Sequence, residues 1–164
     1  IEVIEFFWFG CPHCNLLEPL LRDWVARLPG DVAFEKVHVP FNVQRHQQLY
    51  YTLVTLGKAD PAMIANVFNI IHGERNMLDT PDRMTTALAK YGIDKKSFMD
   101  AWDSFATQTR VRKATAMASA YKVDSVPLLA INGKYMTAPS MAGSNPNALA
   151  VAHYLIDRER KARK

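Results

Sequence analysis

The sequence holds two cysteines, Cys11 and Cys14, set out as Cys11-Pro12-His13-Cys14. Two thiols at this spacing can close a small disulfide and reopen it, which is the chemistry of thiol–disulfide exchange. The attacking species in that exchange is a thiolate. The pair directly follows an apolar run, Val3-Ile4-Glu5-Phe6-Phe7-Trp8-Phe9, and directly precedes a helical pattern. A cysteine at the start of a helix faces unpaired backbone N–H groups and the positive end of the helix dipole, and both favour its charged form. Cys11 holds that place and is expected to be the nucleophile. Cys14, one turn inside and less exposed, is expected to resolve a mixed disulfide. Pro12 suits the first helical turn because it has no N–H to satisfy. His13 can donate a hydrogen bond to the thiolate or carry a positive charge near it. Either effect stabilises the reduced form and makes the disulfide a stronger oxidant. The site is therefore expected to donate disulfides.

Two other uses of the pair fit less well. A disulfide over so short a loop restricts the unfolded chain little, because its stabilisation grows with loop length. A structural zinc site calls for four ligands. No second Cys-x-x-Cys exists, and His38, His46, His72 and His153 are not in ligand-like spacing with the pair. Neither a metal nor a cofactor is expected.

The elements around the pair follow from periodicity. Ile1 to Phe9 is apolar on both faces except at Glu2 and Glu5, which predicts a strand buried on both sides. Leu16, Leu17, Leu20, Leu21, Trp24, Val25 and Leu28 recur at three- and four-residue spacing, which predicts one face of an amphipathic helix stopped by Pro29-Gly30. Val32 to Val39 reads as a second strand ended by Pro40, completing a βαβ unit. From residue 43 to residue 106 the pattern is helical throughout. Gly57 closes one helix, Asp60-Pro61 and Thr80-Pro81 each supply a cap and a first-turn proline, and Asp94 caps another helix after Gly92. A longer helix follows over residues 107–121. Strand character returns at Pro127-Leu128-Leu129-Ala130-Ile131, Asn132-Gly133 predicts a tight hairpin, and Lys134 to Thr137 is its returning strand. A loop from Ala138 to Asn147 leads to a last helix over residues 148–160.

The predicted class is α/β: a thioredoxin-like fold with an inserted all-helical domain. Residues 1–42 form its first part, 43–106 the insertion and 107–164 its second part. At 164 residues the chain suits one domain with an insertion, and 49% hydrophobic residues are ample for a core. With 22% charged residues it does not read as disordered. The basic tail Arg158 to Lys164 has no interleaved aromatic residue for base stacking, so it reads as a solvated helix end and no nucleic-acid partner is expected. No apolar stretch approaches the roughly 20 residues of a membrane span. The sequence opens inside a strand without a basic leader, as expected of a mature or trimmed form or of a cytosolic protein. One close cysteine pair with no stray thiol suits an oxidising compartment.

Together, Ile4-Glu5-Phe6-Phe7 before Cys11-Pro12-His13-Cys14, Lys36-Val37-His38-Val39, Val126-Pro127 and Asn132-Gly133-Lys134-Tyr135 resemble the DsbA family of periplasmic thiol:disulfide oxidoreductases of Gram-negative bacteria. The resemblance runs over nearly the whole chain. It implies a strongly depressed Cys11 pKa and a cis bond at Val126-Pro127 facing the cysteines, where free backbone groups can pair with an extended substrate peptide. It also implies that Glu5 and Lys36 lie beneath the active site and assist proton transfer at the buried cysteine. Each is an ionisable residue in a strand that otherwise reads as buried. Burial should raise the pKa of Glu5 and lower that of Lys36, while pairing opposes both shifts. An adaptable apolar groove for unfolded chains is expected around Met136, Pro139 and Met141, beside His13, Val126 and Pro127. The partners implied are folding cysteine-containing proteins and a membrane reoxidant of the DsbB type, with the chain a monomer in the periplasm. The family's sheet has a further strand before the position of Ile1, so an edge short of that strand is expected. Ser125 stands at the position before Val126 that helps set redox potential. Two alternatives stay open on the residues: a reductase or isomerase, and a peptide-binding holdase that does not use its cysteines.

Overall fold

In the computed structural model, which describes residues 1–41 and 44–164, four strands form one mixed sheet in the order β2-β1-β3-β4. They are β1 (Glu2–Phe7), β2 (Ala33–His38), β3 (Leu128–Ile131) and β4 (Tyr135–Thr137). β1 pairs parallel with β2 and antiparallel with β3, so it is the central strand at the site. Its residues after Glu2 are all buried, as expected of a strand covered on both faces. The hairpin between β3 and β4 turns on Asn132 and Gly133, both at positive φ (53° and 64°). Two positive φ values in succession are what the tight turn between twisted strands requires.

Helix α1 (Pro12–Ala26) crosses over between β1 and β2. Between β2 and the long α6 (Phe105–Ala120) stand α2 (Gln44–Thr55), α3 (Pro61–His72), α4 (Pro81–Leu88) and α5 (Lys95–Trp102). The capping residues read from the sequence do their work here. Asp60, Thr80 and Asp94 each accept a hydrogen bond from the backbone N–H three residues on, at 2.8, 3.2 and 2.9 Å. The expected boundary between residues 42 and 43 lies outside the described residues. The one between 106 and 107 falls in the first turn of α6. The segment 138–147 differs from the expected loop. Pro139–Ala142 forms a short helix, α7, and Ser144 caps α8 (Asn145–Ala162), whose first turn holds Pro146. A serine cap followed by a first-turn proline is a helix-opening signal of the same kind as Thr80-Pro81.

The two faces of the sheet bury different cores. Val3, Leu129 and Ile131 pack with Leu17, Leu21, Trp24 and Ile156 of α1 and α8. Ile4, Phe6, Phe7 and Phe9 pack with the helical block and with both cysteines. The active-site end of β1 therefore sits over an aromatic core built mainly by that block.

Candidate active site

Cys11 is the N-cap of α1, with extended backbone (φ −80°, ψ 118°) and Pro12 at the first helical position. Its Sγ accepts the Cys14 N–H at 3.4 Å and lies 3.7 Å from the Val126 carbonyl oxygen, to which its thiol donates when protonated. The Val126–Pro127 bond is cis. The cis-proline step and the helix start thus face each other across the sulfur. Both thiols are free, Cys11 6% exposed and Cys14 fully buried.

The two sulfurs experience opposite electrostatics. The Cys11 pKa is lowered to about 6, first because the Cys14 side chain hydrogen-bonds its thiolate. Burial works against this, and the backbone N–H groups of Cys14 and His13 and then the charge of His13 add to it. Cys14 is pushed far up, mainly by burial, then by its hydrogen bond to Cys11 and by the charge of Glu5. His13 is exposed, and among the described residues its imidazole forms no hydrogen bond to the thiolate. The N–H groups of the helix start act more strongly on Cys11 than that ring does.

Beneath the cysteines, the β1–β2 register sets Glu5 opposite Lys36. Lys36 Nζ donates to Glu5 Oε1 and to Glu18 Oε2, each at 2.7 Å, and lies 4.7 Å from the centre of the Phe7 ring. The pair read from the sequence is therefore three residues, with Glu18 of α1 as the third. Burial raises Glu5 to about 7 against the pull of Lys36, and among the described residues its Oε2 has no hydrogen-bond partner. Burial alone would lower Lys36, but the two carboxylates together outweigh it and its pKa is raised. Lys36 and Glu18 line a cleft of about 310 Å³ that also includes Arg22 and Tyr50. The buried carboxyl thus reaches the surface through its ion-pair partners.

Glu18 was hidden by the apolar stripe. Leu16 and Leu20 were expected on the buried face of α1, yet both are exposed. The buried set is Cys14, Leu17, Glu18, Leu21 and Trp24. Glu18 follows Cys14 by four residues, so it shares that residue's face, and this spacing was the available signal. Met136 and Met141 are 49% and 64% exposed, Pro139 opens α7, and Pro127 is buried.

Residues 2–149 match the family model for the DSBA-like thioredoxin domain. The chain belongs to that family. It is 42% identical to the thiol:disulfide interchange protein DsbA of Azotobacter vinelandii, over 99% of this chain and 76% of that protein. The crystal structure of Pseudomonas aeruginosa DsbA superposes with a TM-score of 0.93 at 39% identity, covering 99% of this chain and 85% of that one. The oxidoreductase DsbA from Xylella fastidiosa gives 0.89 at 28% identity, covering 98% and 86%. The thioredoxin-like α/β fold and the disulfide oxidoreductase class expected from the sequence both hold.

Proposed function

We propose that the chain donates its Cys11–Cys14 disulfide to folding cysteine-containing proteins of the periplasm. A substrate thiolate attacks the Cys11 sulfur, the Cys11–Cys14 bond breaks, and Cys14 leaves as a thiolate that takes up a proton. A second substrate thiolate then attacks the substrate sulfur of the mixed disulfide. The substrate disulfide forms and Cys11 leaves as a thiolate, so two electrons pass from the substrate to the enzyme. The observation that carries this direction is the place of the Cys11 sulfur at the start of α1, where it accepts the Cys14 N–H and its pKa is lowered. A stabilised leaving thiolate stabilises the dithiol and makes the disulfide a stronger oxidant.

Glu5 supplies or accepts the Cys14 proton in this reading. A carboxyl raised to about 7 exchanges protons near neutral pH, and Lys36 and Glu18 connect it to solvent. Val126 and Pro127 hold the extended substrate across from Cys11, and Met136, Pro139 and Met141 give it an adaptable apolar surface beside His13. A membrane reoxidant of the DsbB type restores the disulfide, and the chain works as a monomer. Residues 1–42 and 107–164 form the thioredoxin-like unit, and 43–106 are inserted in it.

The equilibrium constant with glutathione, measured together with thermal unfolding of both redox forms, tests the direction. A disulfide donor has the less stable oxidised form. An oxidised form more stable than the reduced one would favour a reductase or isomerase.

A further inference from the structure

The two backbone polar groups of Phe9, just before the active-site turn, are held by two histidines from different parts of the fold. The β1–β2 ladder ends at Phe7, paired with His38. Beyond it the backbone of β1 leaves the sheet, and the His38 side chain takes the place of a strand partner. Its Nε2 accepts the Phe9 N–H at 3.1 Å, and its Nδ1 lies 2.8 Å from the Val39 carbonyl oxygen. An amide N–H only donates and a carbonyl oxygen only accepts, so the ring proton sits on Nδ1. His72, in the last turn of α3, donates its Nε2–H to the Phe9 carbonyl oxygen at 2.7 Å. The Phe9 side chain is fully buried among the rings of Phe7, His38, Tyr50 and Phe68. One residue later the chain is still confined. A Cβ on Gly10 would come within 2.4 Å of the Trp8 indole, and the Cys11 N–H donates to the Trp8 carbonyl at 3.1 Å.

We propose that His38 and His72 are positioning residues for disulfide exchange: they anchor the backbone of Phe9, His38 at its N–H and His72 at its carbonyl oxygen, and so fix the Gly10–Cys11 turn against the start of α1. This rests on Cys11 being the attacked and attacking sulfur. The Sγ of Cys11 is stabilised by N–H groups whose directions are set by α1, so its own placement must be set by the chain that leads into the helix. Both polar atoms of Phe9 are anchored, and neither anchor comes from the sheet ladder. Burial holds His38 neutral, with its pKa lowered to about 3, so its acceptor nitrogen stays available at working pH. Through His72 the helical block takes part in the geometry of the nucleophile.

The test uses the full chain with His38→Met, His38→Gln, His72→Leu and His72→Gln. Glutamine carries an amide that can reproduce the lost acceptor or donor, whereas Met and Leu cannot. The readouts are the Cys11 thiolate titration by ultraviolet absorbance and the glutathione equilibrium constant, with thermal unfolding of each variant alongside. His38→Met and His72→Leu are expected to raise the Cys11 pKa and weaken the oxidant by about fivefold each, the scale of one hydrogen bond. The two Gln variants are expected to regain most of that. A lowered melting temperature with an unchanged Cys11 titration in both His72→Leu and His38→Met would reduce the histidines to ordinary packing and overturn the proposal. His72 is partly exposed at a helix end, so its variants decide the matter should His38→Met not fold. The underlying reading fails separately: a low-pKa titration that survives Cys11→Ser in the otherwise unaltered chain would remove Cys11 as the nucleophile, whatever the histidines do.

Discussion

The start of α1 and the floor beneath it treat negative charge in opposite ways. At the start, Cys11 meets N–H groups and the thiol of Cys14, and its pKa falls to about 6. On the floor, Cys14 and Glu5 are fully buried and both are pushed up. The distance in sequence is a single helical turn. Two chemically identical thiols therefore become a good leaving group and a reluctant one, and the asymmetry comes from placement alone. The floor also carries an ion-pair cluster, with Lys36 between Glu5 and Glu18. Such a cluster is costly to bury and gains only from its own pairing.

The largest break in this comparison is to remove one sulfur at a time. Cys11→Ser is expected to lower exchange with a dithiol peptide by about a thousandfold or more, because no other nucleophile stands at the helix start. Cys14→Ser leaves the low-pKa sulfur in place but takes away the resolving group. It should therefore accumulate a stable mixed disulfide with a substrate thiol, visible as a mass increase under non-reducing conditions. Equal accumulation by the Cys11→Ser variant would erase the assigned asymmetry.

Glu5→Gln strikes the floor and spares the start. The amide keeps the shape of the side chain but cannot take a proton. Steps in which Cys14 gains or loses its proton should slow by about a hundredfold, the lower end of what a positioned acid or base supplies. The Cys11 titration should move little, since Glu5 is the group whose charge bears on Cys14. Stopped-flow oxidation of a reduced peptide, followed from pH 5 to pH 8, separates the two. An unchanged rate across that range would leave Glu5 a structural partner of Lys36.

How much of this was legible in the sequence differs between the two regions. The start of α1 was readable because its chemistry is local: Cys11, Pro12, His13 and Cys14 are consecutive, and a strand followed by a helix fixes their surroundings. The Glu5–Lys36 contact was readable too, because one βαβ unit places the two strands side by side. Glu18 was not read, because the leucine pattern of α1 suggested a wider buried stripe than the packing uses. The clamp on Phe9 could not be read at all. His38 and His72, 34 residues apart in sequence, reach the backbone of one residue, and only the packing of the helical block brings them together.

The pH dependence of stability offers a thermodynamic measure of the same asymmetry. The Cys11 pKa in the folded dithiol is depressed, so ionisation favours the folded form. That contribution is fully present above the unfolded value near 9.0 and is lost as pH falls through about 6. At pH 7 it amounts to about 1.4 kcal/mol, one pKa unit's worth. The oxidised form has no such thiol, and Glu5 is common to both forms, so its own titration largely cancels in the difference. The reduced form should therefore gain stability over the oxidised form as pH rises from 6 toward 9. Denaturant unfolding of both forms at several pH values measures it. A difference that stays flat over this window would show that Cys11 is not ionised in the folded dithiol.

His13 gives the smallest expected effect and the finest test. From the sequence alone its imidazole looked like the group that sets the driving force. In the fold it is exposed, and its charge is the last of the influences that lower the Cys11 pKa, behind the Cys14 hydrogen bonds and its own backbone N–H. His13→Ser keeps that N–H and removes only the ring. An exposed charge is screened by water and salt, so the variant should be a weaker oxidant by about threefold to tenfold in the glutathione equilibrium. The Cys11 pKa should rise by the corresponding amount, and the gap between variant and wild type should narrow in high salt. A loss of a hundredfold or more that salt does not diminish would mean that the imidazole reaches the thiolate directly. The ring, and not the helix start, would then be the main source of the difference between the two cysteines.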